Sequence, residues 1–81
     1  MSLENIVIAK TVDARGSACP GPILEAKKGI SKVKKDEVLA VLGTDVVTKT
    51  DLPIWATRAG HEFLGIIEEE GYFRLLIRRK K

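Results

Sequence analysis

The sequence predicts an α/β (α+β) two-layer sandwich, in which two helices cover one face of a mixed four-stranded sheet. Three observations predict this fold: a length of 81 residues, which suits one domain spanning residues 1–81, two segments with apolar residues at helical spacing, and four short apolar or β-branched segments around them. The resulting order is β-α-β-α-β-β. Right-handed crossovers would place both helices on the same face of the sheet.

The first half of the chain contains a strand, a helix and a second strand. Residues Ile6 to Val12 are mostly apolar and β-branched, which predicts a strand. A helix is expected from Pro20 to about Val33, with an inner face made by Ile23, Ala26, Ile30 and Val33. The next strand, Val38 to Leu42, is apolar at every position and should therefore lie centrally in the sheet.

The second half predicts a helix followed by a hairpin. Asp51 is a suitable N-cap, Pro53 would fall in the first turn, and Gly60 would follow the last turn as the C′ residue. Strands are expected at Glu62 to Glu68 and Tyr72 to Arg78, and the short turn between them predicts an antiparallel pair.

Composition and charge narrow the class of protein. Hydrophobic residues make up 44% of the chain and charged residues 31%, which predicts a folded chain rather than a disordered one. The apolar runs are far too short to span a bilayer, and the first five residues do not resemble a signal peptide, so we expect a cytoplasmic protein. The net charge is +3, and Lys27, Lys28 and Lys32 predict either a solvated helix face or a docking surface for an acidic partner.

The candidate reactive residue is Cys19, the only cysteine of the chain. Within Cys19-Pro20-Gly21-Pro22, the cysteine would fall at the N-cap of the first helix, where the helix dipole favours a thiolate. The prolines fix the backbone, and Gly21 leaves the sulfur unshielded. We therefore predict an exposed thiol with a pKa below the value of about 8.5 for free cysteine. The alternative is a buried cysteine that acts as a small hydrophobe.

Other polar residues offer weaker candidates. Asp13 and Asp45 follow two parallel strands, so both should lie at the edge of the sheet where the first helix begins, a common location for function. They can equally be turn or capping carboxylates. His61 follows Gly60 at a helix end, where a capping role competes with that of a base for Cys19. With only Cys19 and His61 as soft ligands, we expect no metal and no other cofactor.

Several motifs resemble those of the TusA/SirA/YedF-like family. Asp13-Ala14-Arg15-Gly16 followed by Cys19-Pro20-Gly21-Pro22 is similar to the family signature, a Cys-Pro-x-Pro motif that opens the first helix. The resemblance continues through further segments in the same order: Glu37-Val38-Leu39, Thr44-Asp45, Asp51-Leu52-Pro53-Ile54-Trp55, Gly60-His61, Tyr72 and Leu76-Ile77-Arg78-Arg79-Lys80. Val46 departs from it, because many members have proline there.

The resemblance implies a β-α-β-α-β-β sandwich and a sulfur-carrier function. Cys19 would hold a sulfane sulfur as a persulfide, with Asp13, Gly16, Pro20, Gly21, Pro22 and Asp45 as motif or supporting residues. The implied partners are a cysteine desulfurase or rhodanese-like donor and a DsrE/TusD-like acceptor. The implied pathways are tRNA thiolation, molybdenum-cofactor supply, sulfur oxidation or selenium metabolism. Neither a metal nor a membrane is implied.

Two other functions compete with sulfur relay. The basic helix and the basic C-terminus could serve a regulatory or nucleic-acid-binding module, whose binding would depend strongly on salt. Few exposed aromatic side chains are available to stack on bases, so we do not expect direct nucleic-acid binding. A simple redox thiol would also use a low-pKa cysteine, but the chain has no second cysteine to resolve it.

Overall fold

Four strands and two helices follow one another in the predicted order. The computed structural model describes residues 6–17 and 21–81. The elements are β1 (Ile8–Asp13), α1 (Gly21–Ile30), β2 (Val38–Gly43), α2 (Thr48–Arg58), β3 (Glu62–Glu69) and β4 (Tyr72–Arg78). Cys19 and Pro20 lie outside the described residues, and so does the predicted helix start at Pro20.

The four strands form one mixed sheet in the order β1-β2-β4-β3. β1 and β2 are parallel, whereas β4 is antiparallel to both β2 and β3. The strands β2 and β4 are therefore central. Every residue of β2 except Leu42 is buried, as the uninterrupted apolar run predicted. β1 begins two residues later than expected, at Ile8.

Both helices pack on the same face of the sheet, which confirms the predicted two-layer sandwich. Ala26 and Ile30 of α1, and Leu52 and Ala56 of α2, join one core cluster. The sheet contributes Leu39, Val41, Phe73, Leu75 and Ile77 to that cluster. A smaller cluster on the other face contains Val38, Ala40 and Leu76.

Helix α1 ends at Ile30, three residues before the predicted end. The backbone turns there because Lys32 N–H donates to the Gly29 carbonyl at 3.0 Å, and the Ser31 hydroxyl donates to the Lys28 carbonyl at 2.7 Å. Val33 lies beyond the helix but is buried in the same core cluster, so its burial was predicted correctly although its helical conformation was not.

Helix α2 begins at Thr48, one turn before the expected start. The N-cap position belongs to Val47, so the prediction of Asp51 as N-cap is wrong, and Pro53 lies inside the helix. The first turn is tighter than an α-helix, because Thr50 N–H donates to the Val47 carbonyl three residues back. The i to i−4 pattern starts at Asp51, whose N–H also donates to Val47.

The end of α2 matches the expectation. Gly60 has a φ of 86°, and its N–H donates to the Thr57 carbonyl at 3.1 Å. His61 N–H reaches the Ala56 carbonyl at 2.9 Å. These two bonds form the Schellman arrangement, which favours glycine at C′.

The C-terminal tail, residues 79–81, packs at the end of the molecule where α1 finishes. The Arg79 guanidinium donates to the carbonyl of Ile30 at 3.1 Å and also to that of Val33. Arg79 N–H donates to the Glu37 carbonyl at 2.9 Å, and Asp36 N–H donates to the Arg79 carbonyl at 2.6 Å. These contacts of Arg79 hold the C-terminal tail against the end of α1, and we call them the clasp.

Candidate functional site

The loop after β1 is tied to the end of β2. Ala14 N–H donates to the Leu42 carbonyl at 2.8 Å, and Gly16 N–H donates to the Thr44 hydroxyl at 2.9 Å. Gly16 has a φ of 82°, a conformation that glycine adopts at little cost. The segment that leads to Cys19 is therefore held at the edge of the sheet where β1 and β2 end.

Asp13 and Arg15 form an ion pair with each other where β1 passes into this loop. Arg15 donates from Nε to Oδ1 of Asp13 at 2.9 Å and from a terminal guanidinium nitrogen to Oδ2 at 2.8 Å. Its backbone N–H adds a bond to Oδ1 at 3.0 Å. These hydrogen bonds lower the pKa of Asp13 to about 2, and those from the Arg15 side chain contribute most. Of the two interpretations that the sequence allowed for Asp13, these contacts favour the turn carboxylate.

Arg15 also covers an aromatic ring. Its guanidinium carbon lies 5.0 Å from the ring centroid of Tyr72, the first residue of β4. A cation over an aromatic face at this distance is attracted to the ring. Arg15 therefore links the loop to a central strand while its side chain remains about half exposed.

The first residue of α1, Gly21, lies close to the loop. A Cβ atom built on Gly21 would lie 3.2 Å from Cβ of Ser17. We expected the inward face of the helix to start at Ile23. Pro22 is fully buried, so that face starts one residue earlier. With prolines on both sides, Gly21 supplies the first available N–H of this segment.

Asp45 organises the start of α2. Its Oδ1 accepts a hydrogen bond from Val47 N–H at 3.2 Å, and its carbonyl accepts one from Thr48 N–H at 3.0 Å. These bonds favour the interpretation of Asp45 as a turn or capping carboxylate. It lies at the same edge of the sheet as Asp13, because Asp13 is the last residue of β1, Asp45 follows β2, and these two strands are parallel neighbours.

His61 does not lie at this edge. Its Nδ1 accepts a hydrogen bond from Lys80 N–H at 3.1 Å, and its ring centroid is 6.2 Å from that of Trp55. Burial, with Arg79 and Lys81 nearby, lowers the pKa of His61 and favours the neutral acceptor. The backbone N–H of His61 caps the far end of α2, while its side chain accepts a bond from the C-terminal tail. α1 begins at the opposite end of the sheet.

The three candidate docking lysines are exposed. Lys27 and Lys28 lie on the outer side of α1, and Lys32 lies just beyond its end. Lys28 makes a loose ion pair with Glu25 at 3.7 Å. Exposed pairs of this kind contribute little to stability, so these cations can interact with a partner.

Sequence reasoning did not assign Arg15 or Thr44 an individual part in this site. The spacing of Asp13 and Arg15 was a usable signal, because a turn brings residues two apart within reach of each other. Thr44 carried no comparable signal, since its bond to Gly16 joins residues 28 positions apart.

These observations define a class: small two-layer α/β proteins with a Cys-Pro-x-Pro motif where the first helix meets the carboxyl edge of parallel strands. The family described as Sulfurtransferase TusA matches residues 10–79. The chain belongs to this TusA family.

Individual relatives agree with this assignment. A putative sulfur carrier protein of Archaeoglobus fulgidus is 43% identical over 70 residues, which cover 86% of this chain and 96% of that protein. The sulfur carrier protein TusA of Pseudomonas entomophila is 35% identical over 78 residues, covering 96% and 98%. The crystal structure of a SirA-like protein from Desulfitobacterium hafniense superposes with a TM-score of 0.71 at 27% identity, covering 89% and 99%.

The comparisons confirm the predicted family, fold and sulfur-carrier function. They give no support to the alternative of a nucleic-acid-binding module. Within residues 6–17 and 21–81, neither helix has the length and apolar character needed to cross a membrane.

Proposed function

We propose that this protein accepts a sulfane sulfur on Cys19 as a persulfide and passes it to a partner protein. The observation that carries the proposal is the Cys19-Pro20-Gly21-Pro22 sequence where α1 begins, in a chain of the TusA family. Persistence of a reduced thiol between transfers suits the cytoplasm, which is where we propose that the protein acts.

The proposed transfer needs no external oxidant or reductant. The Cys19 thiolate attacks the outer sulfur of a donor persulfide, so that a new sulfur–sulfur bond forms on Cys19. The bond between the two donor sulfurs breaks, and the donor leaves as a thiolate. An acceptor thiolate then repeats the step on the outer sulfur held by Cys19.

The surroundings support an activated thiol. Gly21 is the first residue of α1, and the first N–H groups of a helix, which have no partner within the helix, can donate to a negative charge. The helix dipole acts in the same direction. We expect the pKa of Cys19 to lie below about 8.5, the value for free cysteine. A thiol titration at or above that value would contradict this part of the proposal.

Intact-protein mass spectrometry under non-reducing conditions tests the carrier role. The protein is incubated with a cysteine desulfurase and free cysteine, or with a rhodanese and thiosulfate. We expect a gain of one sulfur atom that dithiothreitol removes. Cys19→Ser should prevent the gain completely, because no other cysteine is present. A serine variant that still gains sulfur would place the adduct elsewhere and refute the role of Cys19.

The exposed lysines of α1 support docking of an acidic donor or acceptor. The donor in view is a cysteine desulfurase or a rhodanese-like protein, and the acceptor is DsrE/TusD-like. Reversing the charge of Lys27, Lys28 and Lys32 should lower the rate of loading by the protein donor at low salt by about tenfold, mainly by slowing association. The difference should shrink at high salt. A reversal variant that is loaded at the wild-type rate at low salt would remove these lysines from the docking surface.

A further inference from the structure

Exposed apolar side chains gather at the end of the molecule that carries the proposed sulfur site. Among the described residues, the large apolar side chains with the greatest exposure are Val7, Leu24, Val46, Val47 and Ile54. All except Val7 lie on α1, on α2 or in the loop that precedes α2. Single exposed apolar residues are ordinary on a protein surface, but a group at one end needs a reason.

The topology explains why Leu24, Val46 and Val47 share this end. β1 and β2 are parallel, so the loops that follow them emerge at the same edge of the sheet. The bond between Gly16 N–H and the Thr44 hydroxyl joins the two loops directly. Leu24 is in the first turn of α1, Val46 lies in the second loop, and Val47 is the N-cap of α2. We call these three residues the apolar end.

The exposure of the apolar end is substantial. Val46 is 69% exposed, Leu24 is 51% exposed and Val47 is 49% exposed. Folding of this chain therefore leaves much of their surface in water. A separate groove of about 360 Å³ on α2 is lined by Pro53, Ile54, Thr57 and Arg58.

We propose that the apolar end is the contact on which a sulfur-exchanging partner protein docks, and that the partner presents an apolar patch with an acidic rim. The proposal rests on the proposed function. Transfer between two proteins requires the partner sulfur to reach the sulfur on Cys19, so the partner must cover the surface around the start of α1. Lys27 and Lys28 follow Leu24 on the same helix and would face the acidic rim.

A pair of uncharged variants tests the proposal. Leu24→Gln with Val46→Thr removes apolar contact without introducing a charge near the thiolate. Val7→Thr is the matched control, because Val7 is 84% exposed but precedes β1, at the opposite end of the sheet. Each protein is loaded in two ways: by a cysteine desulfurase with free cysteine, and by inorganic polysulfide, which needs no docking.

The quantity compared is the kcat/KM for the desulfurase divided by the rate constant for polysulfide. In the Leu24/Val46 double variant we expect this ratio to fall by about tenfold, as for loss of a central interface contact. In Val7→Thr it should stay within about twofold of wild type, as expected away from an interface. Equal ratios in all three proteins would overturn the proposal.

The two loading routes separate failure of docking from failure of the carrier role. Wild-type protein that polysulfide and desulfurase both fail to load would refute the proposed function. A second outcome is that polysulfide loads the wild-type protein, whereas neither the desulfurase nor a rhodanese with thiosulfate does so. That outcome would overturn the docking proposal and leave the carrier role of Cys19 intact. Sedimentation of the unloaded protein completes the test, because a wild-type dimer that the double variant converts to a monomer would show that the apolar end contacts a second copy instead.

Discussion

Asp13 acts on the loop before Cys19 through its hydrogen bonds to a single neighbour. It accepts three bonds from Arg15, two from the guanidinium and one from the backbone. The pKa of Asp13 falls to about 2 because these bonds stabilise the carboxylate. The residue that the sequence offered as a candidate for chemistry thus helps to fix the loop.

Replacing Arg15 by methionine should release this carboxylate. We expect the pKa of Asp13 to rise from about 2 toward its ordinary value of 3.8, since only the backbone donor remains. Arg15→Lys keeps the charge but cannot donate in the same two-pronged way, and should give an intermediate value. A carbon-detected NMR titration of the Asp13 carboxyl measures all three proteins.

The same variant predicts a pH dependence of stability. A carboxyl whose pKa is lowered by folding stabilises the folded protein above its unfolded value, and this contribution disappears as the pH falls through the folded value. The stability difference between wild type and Arg15→Met should therefore be constant above about pH 5 and shrink between about pH 4 and pH 2. A difference that grows as the solution is acidified would contradict the assigned cause.

At the residue scale, the sequence singles out a candidate reactive site but not the contacts that support it. Cys19, Pro20, Gly21 and Pro22 could be singled out because their chemistry is local: a thiol, two fixed φ angles and a helix start. The link between Gly16 and Thr44 could not, because it depends on how two loops meet in space.

At the scale of elements, α1 approaches the sheet unusually closely at Gly29. A Cβ built there would lie 2.8 Å from Cγ1 of Val12 and 2.9 Å from Cδ1 of Leu39. Leu39 is completely buried, so it has little freedom to move aside. The glycine thus serves packing between the two layers, even though it lowers helix propensity.

Gly29→Ala sets these two effects against each other. Alanine favours the helix by about 1 kcal/mol, whereas overpacking of a filled core costs about 1–3 kcal/mol. We expect a net loss of about 1 kcal/mol in the free energy of unfolding, measured by urea denaturation with Trp55 fluorescence. Lys28→Ala, exposed on the same turn, should change it by less than about 0.5 kcal/mol. A stabilised Gly29→Ala protein would show that α1 can move away from the sheet.

Element identity was predictable here, and element ends were less so. Apolar periodicity located both helices and all four strands. The start of α2 was missed because Asp45, six residues before Asp51, supplies the polar oxygen at the turn. The end of α1 was missed because Arg79 and Ser31 satisfy its last carbonyls, and the first of these comes from the far end of the chain.

At the scale of the whole molecule, the chain separates its two ends by role. The carboxyl edge of β1 and β2 carries the loops, the helix starts and the apolar end. The opposite end holds the clasp formed by Arg79, and the bond from Lys80 N–H to His61. The proposed docking surface is therefore at the opposite end of the sheet from the clasp, which holds the sheet and α1 together.

Arg79→Ala tests this division directly. The guanidinium donates to the carbonyls of Ile30 and Val33, where α1 ends. Its positive charge lies at the negative end of the helix dipole, which is a stabilising interaction. Losing such charged hydrogen bonds should lower the free energy of unfolding by about 2 kcal/mol, which corresponds to roughly 10 °C in Tm. Lys80→Ala is the neighbouring control. It removes only the exposed ion pair with Asp36 at 3.2 Å and should cost less than about 1 kcal/mol.

Sulfur loading provides the second readout for this pair. Both variants should load from polysulfide at the wild-type rate at a temperature where both are folded, because the clasp lies at the end of the sheet away from the start of α1. Arg79→Ala with unchanged stability would show that water satisfies the carbonyls equally well. A folded Arg79→Ala protein with slowed loading would show instead that the clasp and the sulfur site are coupled through α1, since that helix joins the two ends.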